Sequence, residues 1–228
     1  MQKTYLPFFA LLAFSLFSCR PGFDLALLQA PPQQADLLPR LQFQMDGESF
    51  SALYPEPFVE EDDGSGVFQI RPLPNTKLQD VKTIASRTLD QSICVPTGPL
   101  YGSAVLKVSS ASVNNRAQGL LLVSVASAFL LNLAGMPIMK SEAILELEME
   151  VYDANGERLR SYIGQGFGKQ WIGVYYGGGE THRSVHAEAV QEAMQEIQKQ
   201  IGKDASSLKE VFLKVGPIQQ AYLLWPWP

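Results

Sequence analysis

A segment of alternating residues that ends in a tight turn constrains the fold of this chain more than any other feature. Apolar and polar residues alternate strictly from 145 to 152: Leu145, Glu146, Leu147, Glu148, Met149, Glu150, Val151, Tyr152. This period of two is that of a β-strand with one buried face. The turn segment Asp153-Ala154-Asn155-Gly156-Glu157 follows directly, and Asn-Gly is a strong hairpin signal. The pattern therefore predicts an antiparallel hairpin.

The two strands of this hairpin could pair in either of two registers. A two-residue Asn155-Gly156 loop would set Arg160 opposite Val151 and bring a charge onto the apolar face. A three-residue loop with Gly156 in the left-handed region sets each strand residue opposite a compatible partner: Glu150 with Arg160, Tyr152 with Arg158, Val151 with Leu159, and Leu147 with Ile163. We predict the second register, because it places opposite charges opposite each other and keeps the apolar residues on one side. The glutamates then form the solvated face, although a catalytic carboxylate pair among them is the alternative reading.

Further elements follow from periodicity and capping patterns. Strands are predicted at 67–70 and 103–109, and a helix at 77–92. The helix at 181–201 has an apolar residue at every fourth position and is expected to end at Gly202, with a separate short element after Ser207. Together with the hairpin, these elements predict an α+β fold: a mostly antiparallel sheet with helices packed on one face.

The segment Gly164-Gln165-Gly166-Phe167-Gly168-Lys169 superficially resembles a phosphate-binding loop. Its spacing is not that of the motif, and the residues after it are strand-like and aromatic instead of opening a helix. We interpret it as a strand whose small residues allow close packing, and we expect no cofactor.

Candidate ligands and nucleophiles are few. His182 and His186 are the only histidines, and their spacing of four residues could hold zinc together with Glu180 or Glu188. No third soft ligand is in view, so surface or capping roles and no metal site are expected. Cys94 lies between Ile93 and Val95 and is expected to be a small buried residue, with a free thiol as the alternative. No nucleophile elbow is present, and the chain is expected not to be an enzyme.

The amino terminus carries an export signal: Lys3 is its only charge, and an apolar run follows that stops at Leu16-Phe17-Ser18-Cys19. This ending resembles the lipobox of bacterial lipoproteins. The resemblance implies that a signal peptide, residues 1–18, is removed and that Cys19 is acylated and anchors the chain in a membrane, without a spanning helix. A plain secretory signal or an uncleaved anchor is the alternative.

The rest of the chain divides by composition. Residues 19–44 contain four prolines and no sustained period, which predicts a lipid-anchored tether reaching about 25 Å. Residues 45–228 are predicted to form a single α+β domain, with an apolar, uncharged insertion at 119–136. That insertion could be core, could dip into a membrane or could face a partner. The net charge of −5 does not favour the concentrated basic surface that nucleic acid binding requires, so nucleic acid is not expected as a partner.

The order of elements resembles the small α+β domains of bacterial envelope lipoproteins, such as the curli-secretion channel lipoprotein and the amino-terminal domain of TolB. The resemblance covers about residues 66–215 and implies a role in envelope assembly or transport through protein contacts. The expected function is that of a non-enzymatic adaptor or accessory component, facing the periplasm from the outer membrane and contacting other envelope proteins. The alternative is a carrier that binds a lipid or another apolar ligand.

Overall fold

The computed structural model describes residues 37–53, 58–62, 68–72, 76–116, 127, 130–133, 136–173 and 181–218. Its strands are β1 (Gln42–Met45), β2 (Phe58–Asp62), β3 (Phe68–Pro72), β4 (Gly102–Arg116), β5 (Met139–Asp153) and β6 (Arg158–Ile172). Its helices are α1 (Gly47–Leu53), α2 (Thr76–Thr88), α3 (Leu130–Leu133) and α4 (Thr181–Val215), and a π-helical turn, Leu89–Ile93, extends α2. The predicted helix at 77–92 therefore matches α2 with its extension.

The main sheet has four strands in the order β1-β4-β5-β6, and β2 pairs with β3 in a separate two-stranded sheet. Pairings β4–β5 and β5–β6 are antiparallel, whereas β1 runs parallel to β4. Helix α4 packs along β5 and β6, and α2 packs against α4. The predicted α+β class, with a mostly antiparallel sheet and helices on one face, is confirmed.

The hairpin turn forms as predicted, but the predicted register is wrong beyond its first pair. Gly156 adopts a left-handed conformation, with φ of 82°, and Tyr152 lies opposite Arg158. A β-bulge between Val151 and Tyr152 then shifts the ladder by one residue, so that Val151 faces Arg160. Because side chains alternate between faces, a shift of one residue moves every later side chain of β6 to the opposite face.

The bulge places three glycines of β6 under the long helix. Gly164, Gly166 and Gly168 are buried on the face toward α4. A Cβ atom on Gly166 would lie 1.7 Å from the backbone oxygen of Ala189, which is closer than two non-bonded atoms can approach. The prediction of a strand whose small residues allow close packing is therefore confirmed, and this contact is the physical reason that the bulge is needed.

Helix α4 does not end at Gly202, which contradicts the sequence prediction. It runs without interruption for 35 residues, through the predicted separate element after Ser207. Its apolar stripe continues on both sides of the glycine, with these members buried: Ile197, Ile201, Ala205, Leu208, Phe212. Burial of this stripe outweighs the cost of about 1 kcal/mol that a glycine imposes inside a helix.

The sheet begins earlier in the chain than the domain boundary predicted at residue 45. Leu38 is fully buried and bridges to Cys94, and Leu41 is also in the core. Strand β1 follows at once and pairs with β4. Residues from Leu38 onward, assigned to the tether by composition, therefore contribute to the core.

The predicted signal peptide and Cys19 lie outside the described residues, as does most of the apolar insertion 119–136. Within the insertion, Leu130 is exposed and Asn132 is buried. None of the described helices combines the length and the apolar composition that crossing a membrane requires.

Candidate interaction surface

The sheet face opposite the helices carries exposed apolar side chains that the sequence analysis did not single out. Ile144 and Phe167 lie directly opposite each other on β5 and β6, and they are 54% and 44% exposed. Trp171 lies four residues farther along β6 on the same face and is 43% exposed. We call Ile144, Phe167 and Trp171, with Lys140 and Lys169, the aromatic surface.

Two lysines flank the indole of the aromatic surface. The ammonium nitrogens of Lys140 and Lys169 lie 5.8 and 5.5 Å from the Trp171 ring centroid, within the range of cation–π attraction. Lys140 also forms an ion pair with Glu142. Both ammonium groups are thus close enough to attract the indole ring, and Trp171 remains 43% exposed.

Apart from half-exposed Ile163, the other half of this sheet face is polar, and its side chains bind one another. The Glu150 carboxylate accepts hydrogen bonds from Lys107 Nζ at 2.6 Å, the Tyr152 hydroxyl at 2.7 Å and Arg158 Nη1 at 2.9 Å. The hydrogen bond from Lys107 is the main cause that lowers the pKa of Glu150 to about 2, and Tyr152 and Arg158 add to it. The same bond is the main cause that raises the pKa of Lys107.

Glu146 and Glu148, the two β5 glutamates between Glu142 and Glu150, also have structural partners. Gln165 donates to Glu146 at 2.8 Å, and Ser161 donates to Glu148. Each glutamate thus lies beside a residue of the neighbouring strand, as a cross-strand pair does. The carboxylates of Glu146, Glu148 and Glu150 therefore all have hydrogen-bond donors within the sheet.

The two histidines have different surroundings. His182 Nδ1 lies 3.2 Å from the Ser141 hydroxyl of β5. His186 is buried, and burial lowers its pKa to about 4, helped by Lys77 and opposed by Asp80. Asp80 itself binds Arg183 through two hydrogen bonds of 2.7 and 2.9 Å. Within the described ranges, no three His, Cys, Asp or Glu side chains are placed to hold a metal ion.

The buried state predicted for Cys94 is confirmed. Its side chain is 1% exposed and free of any disulfide. Burial raises the pKa of the thiol to about 12, so this thiol is not a reactive nucleophile at neutral pH. Cys19, the predicted lipidation site, lies outside the described residues.

Comparisons with known proteins add little to this geometry. No family model matches the chain, and no curated protein matches it. It is similar to the crystal structure of a Xanthomonas campestris protein of the family DUF330, with a TM-score of 0.41 and 9% sequence identity over 80% of this chain and 94% of that one. This similarity is too low to support a conclusion about function.

Proposed function

We propose that this chain is a lipid-anchored, non-enzymatic envelope lipoprotein that binds a partner protein through the aromatic surface. The observation that carries the proposal is the position of this surface on a sheet face that no described helix covers. Half-exposed Ile144, Phe167 and Trp171 form the kind of aromatic patch that is enriched in protein interfaces. The Ser18-Cys19 signal supplies the anchor.

The positions of the chain entry and of the aromatic surface at opposite ends of the sheet support this proposal. The chain enters the domain beside the start of β4, where Tyr101 donates its backbone N–H to Arg40. Gly102 pairs there with Asp153, at the hairpin turn. The aromatic surface extends to Lys140 and Trp171 at the other end of the β5–β6 ladder. A strand of 15 residues spans about 46 Å, so a protein anchored through Cys19 would hold this surface away from its point of attachment.

A site-specific crosslinking experiment tests the partner. A photoreactive amino acid replaces Phe167 in the full chain, expressed in its native membrane, and the matched control carries the same group at Lys199, an exposed residue of α4. We expect a discrete crosslinked protein from position 167 and not from position 199. Crosslinks from position 167 that contain only lipid would overturn the adaptor function and favour the lipid carrier instead. Equal crosslinking from both positions would remove the assignment to the aromatic surface.

The anchor has its own test. Cys19→Ala is expected to release the protein from membranes or to leave it unprocessed, because the acylated sulfur is then missing. Membrane fractionation and intact mass measure the two outcomes. Ser18→Ala, which keeps a small residue before the cysteine, is the control and should remain anchored. If Cys19→Ala is cleaved and stays bound to the same extent as wild type, the anchor lies elsewhere.

A further inference from the structure

The two edges of the main sheet differ in how they are protected. Along β6, helix α4 blocks the edge with its own side chains: Glu192 accepts from the backbone N–H of Phe167 at 2.6 Å, and Glu188 from that of Lys169 at 3.0 Å. Gln200 donates to the backbone oxygen of Ile163 at 2.7 Å. These contacts occupy the groups that another strand would need.

The β4 edge is covered only along its first part. Strand β1 pairs with residues 103–106. The next residues of the edge bind to the start of α1. The N–H of Asp46 donates to the Leu106 oxygen at 2.9 Å, and Val108 donates its N–H to the Ser49 hydroxyl at 3.3 Å. Beyond Val108, no described residue pairs with this side of β4, and residues 109, 110, 112, 113 and 114 are exposed. We call residues 109–115 the open edge.

The contacts of Leu106 and Val108 identify which backbone groups face outward. Because alternate residues of a strand bond to opposite sides, the groups of residues 106 and 108 point away from β5. A β-bulge at Ser109 shifts this alternation by one residue. The N–H and C=O groups of Ala111 and Val113 therefore point out of the open edge.

We propose that the open edge pairs antiparallel with the same edge of a second copy of this chain, around a two-fold axis at Ser112. In this register Ala111 of one copy lies opposite Val113 of the other, so all four outward N–H and C=O groups of the two residues form hydrogen bonds. Ser110 lies opposite Asn114, and Ser112 faces itself. Apolar residues meet on the helix side of the sheet and small polar residues on the opposite side.

The composition of the open edge supports a second copy as the occupant. Residues 108–114 read Val-Ser-Ser-Ala-Ser-Val-Asn and contain no charge and no proline, two of the devices by which edge strands avoid pairing. A third device, the β-bulge at Ser109, lies just outside the paired residues 110–114. A symmetric contact brings each residue close to residues of its own segment, so like charges would repel, and none are present. The nearest charged residues lie outside residues 110–114: Lys107 is paired with Glu150, and Arg116, the last residue of β4, would lie opposite Val108 of the other copy.

Disulfide crosslinking of the full chain in membranes tests the axis. Two residues 112 would form a non-hydrogen-bonded pair with Cα atoms about 4.5 Å apart, a separation that a disulfide can bridge. We expect Ser112→Cys to convert most of the chain to a covalent dimer under mild oxidation. Ser161→Cys, on the blocked β6 strand of the same sheet, and wild type, which retains Cys94, are the controls and should stay largely monomeric.

The register gives a second, independent readout. Ser110→Cys and Asn114→Cys should each crosslink poorly alone and efficiently when the two variants are coexpressed, because 110 faces 114 across the axis. Val113→Lys, a change at an exposed position, should convert the detergent-solubilised protein from dimer to monomer in analytical ultracentrifugation, with thermal unfolding as the check on folding.

Three outcomes would overturn the proposal. The first is Ser112→Cys crosslinking no better than Ser161→Cys. The second is Ser110→Cys alone matching Ser112→Cys. The third is Ser112→Cys forming its disulfide with a different protein, which would assign the open edge to a foreign strand. None of these results bears on the aromatic surface, so the two proposals fail separately.

Discussion

Glu150 shows how a single carboxylate can stabilise the uncovered face of a sheet. Its side chain is only 4% exposed, although it lies on the side without helices, because Lys107, Tyr152 and Arg158 close around it. Replacing one carboxylate oxygen by an amide NH2 group removes the charge and leaves these three donors with a single neutral acceptor oxygen. We expect Glu150→Gln to lower the free energy of unfolding by about 1–2 kcal/mol.

A double-mutant cycle with Lys107→Met measures the coupling that this geometry implies. Chemical denaturation should give a coupling free energy of about 1 kcal/mol, since Lys107 is itself partly exposed. Glu146→Gln is the matched control on the same strand and face, with an expected change below about 0.5 kcal/mol. Additive effects of Glu150→Gln and Lys107→Met would contradict the pairing.

His186 gives the fold a dependence on pH. Its pKa falls from 6.5 to about 4 on folding, so between these values the unfolded chain binds the proton more readily than the folded one. Stability is therefore fully present above about pH 6.5 and is lost as the pH falls towards 4. We expect His186→Gln to abolish a loss of about 2 kcal/mol that wild type shows between pH 7 and pH 5 in urea unfolding.

The other histidine is the natural control for this experiment. His182→Gln leaves the buried imidazole of His186 in place, so the wild-type loss of stability between pH 7 and pH 5 should persist. The Glu150 carboxylate adds a separate loss at lower pH, since its pKa is lowered from 4.5 to about 2. If His186→Gln retains the loss between pH 7 and pH 5, another group is responsible for it.

At the scale of elements, the packing of α4 on β6 depends on the absence of side-chain atoms at three positions. The strongest test is Gly166→Ala, whose added methyl group would have to displace the backbone oxygen of Ala189. Because a backbone atom cannot rotate aside, we expect a loss of about 3 kcal/mol in the free energy of unfolding. Gln165→Ala, the neighbouring residue on the exposed face, should change it by less than about 0.5 kcal/mol. A small effect of Gly166→Ala would show that the helix can shift at little cost.

The same elements show how far the sequence determines the fold. Local signals predicted the hairpin turn, the left-handed Gly156, the helix at 77–92 and the role of the glycines, because each depends on neighbouring residues. The register of β6 and the continuity of α4 through Gly202 depend on distant contacts instead. The bulge turns Gly164, Gly166 and Gly168 toward the helix and turns Phe167 and Trp171 outward.

The sequence did not predict the aromatic surface, because the bulge that turns its residues outward has no local signal. Periodicity alone assigns apolar residues to a buried face. One signal was available in the sequence: glycine and bulky residues alternate from Gly164 to Gly168. If the glycines contact a helix, the residues between them must face the other way. Strand β1 has only four residues. Such a short segment shows no clear alternation of apolar and polar residues, so the sequence did not distinguish it from the tether that precedes it.

At the scale of the whole molecule, the long strands separate the point where the chain enters the sheet from the aromatic surface. The chain enters near the hairpin turn, whereas the apolar connection from β4 to β5 leaves the sheet beyond the pair formed by Arg116 and Lys140. Trp171 pairs with Lys140 at that same end. The apolar insertion and the aromatic surface therefore begin at neighbouring positions, and we expect both to contact one partner.

Leu130 tests this expectation because it is the described residue of the insertion with a 67% exposed side chain. Leu130→Asp should change the free energy of unfolding by less than about 0.5 kcal/mol, since no buried apolar contact is lost. The same substitution should reduce photo-crosslinking of the partner from position 167, because a charge would enter an apolar contact. Leu213→Asp is the matched control: its side chain is 68% exposed on α4, and it should leave the crosslink unchanged. A loss of several kcal/mol in unfolding by Leu130→Asp would instead make the insertion part of the core, and the contact with a partner would then rest on Phe167 and Trp171 alone.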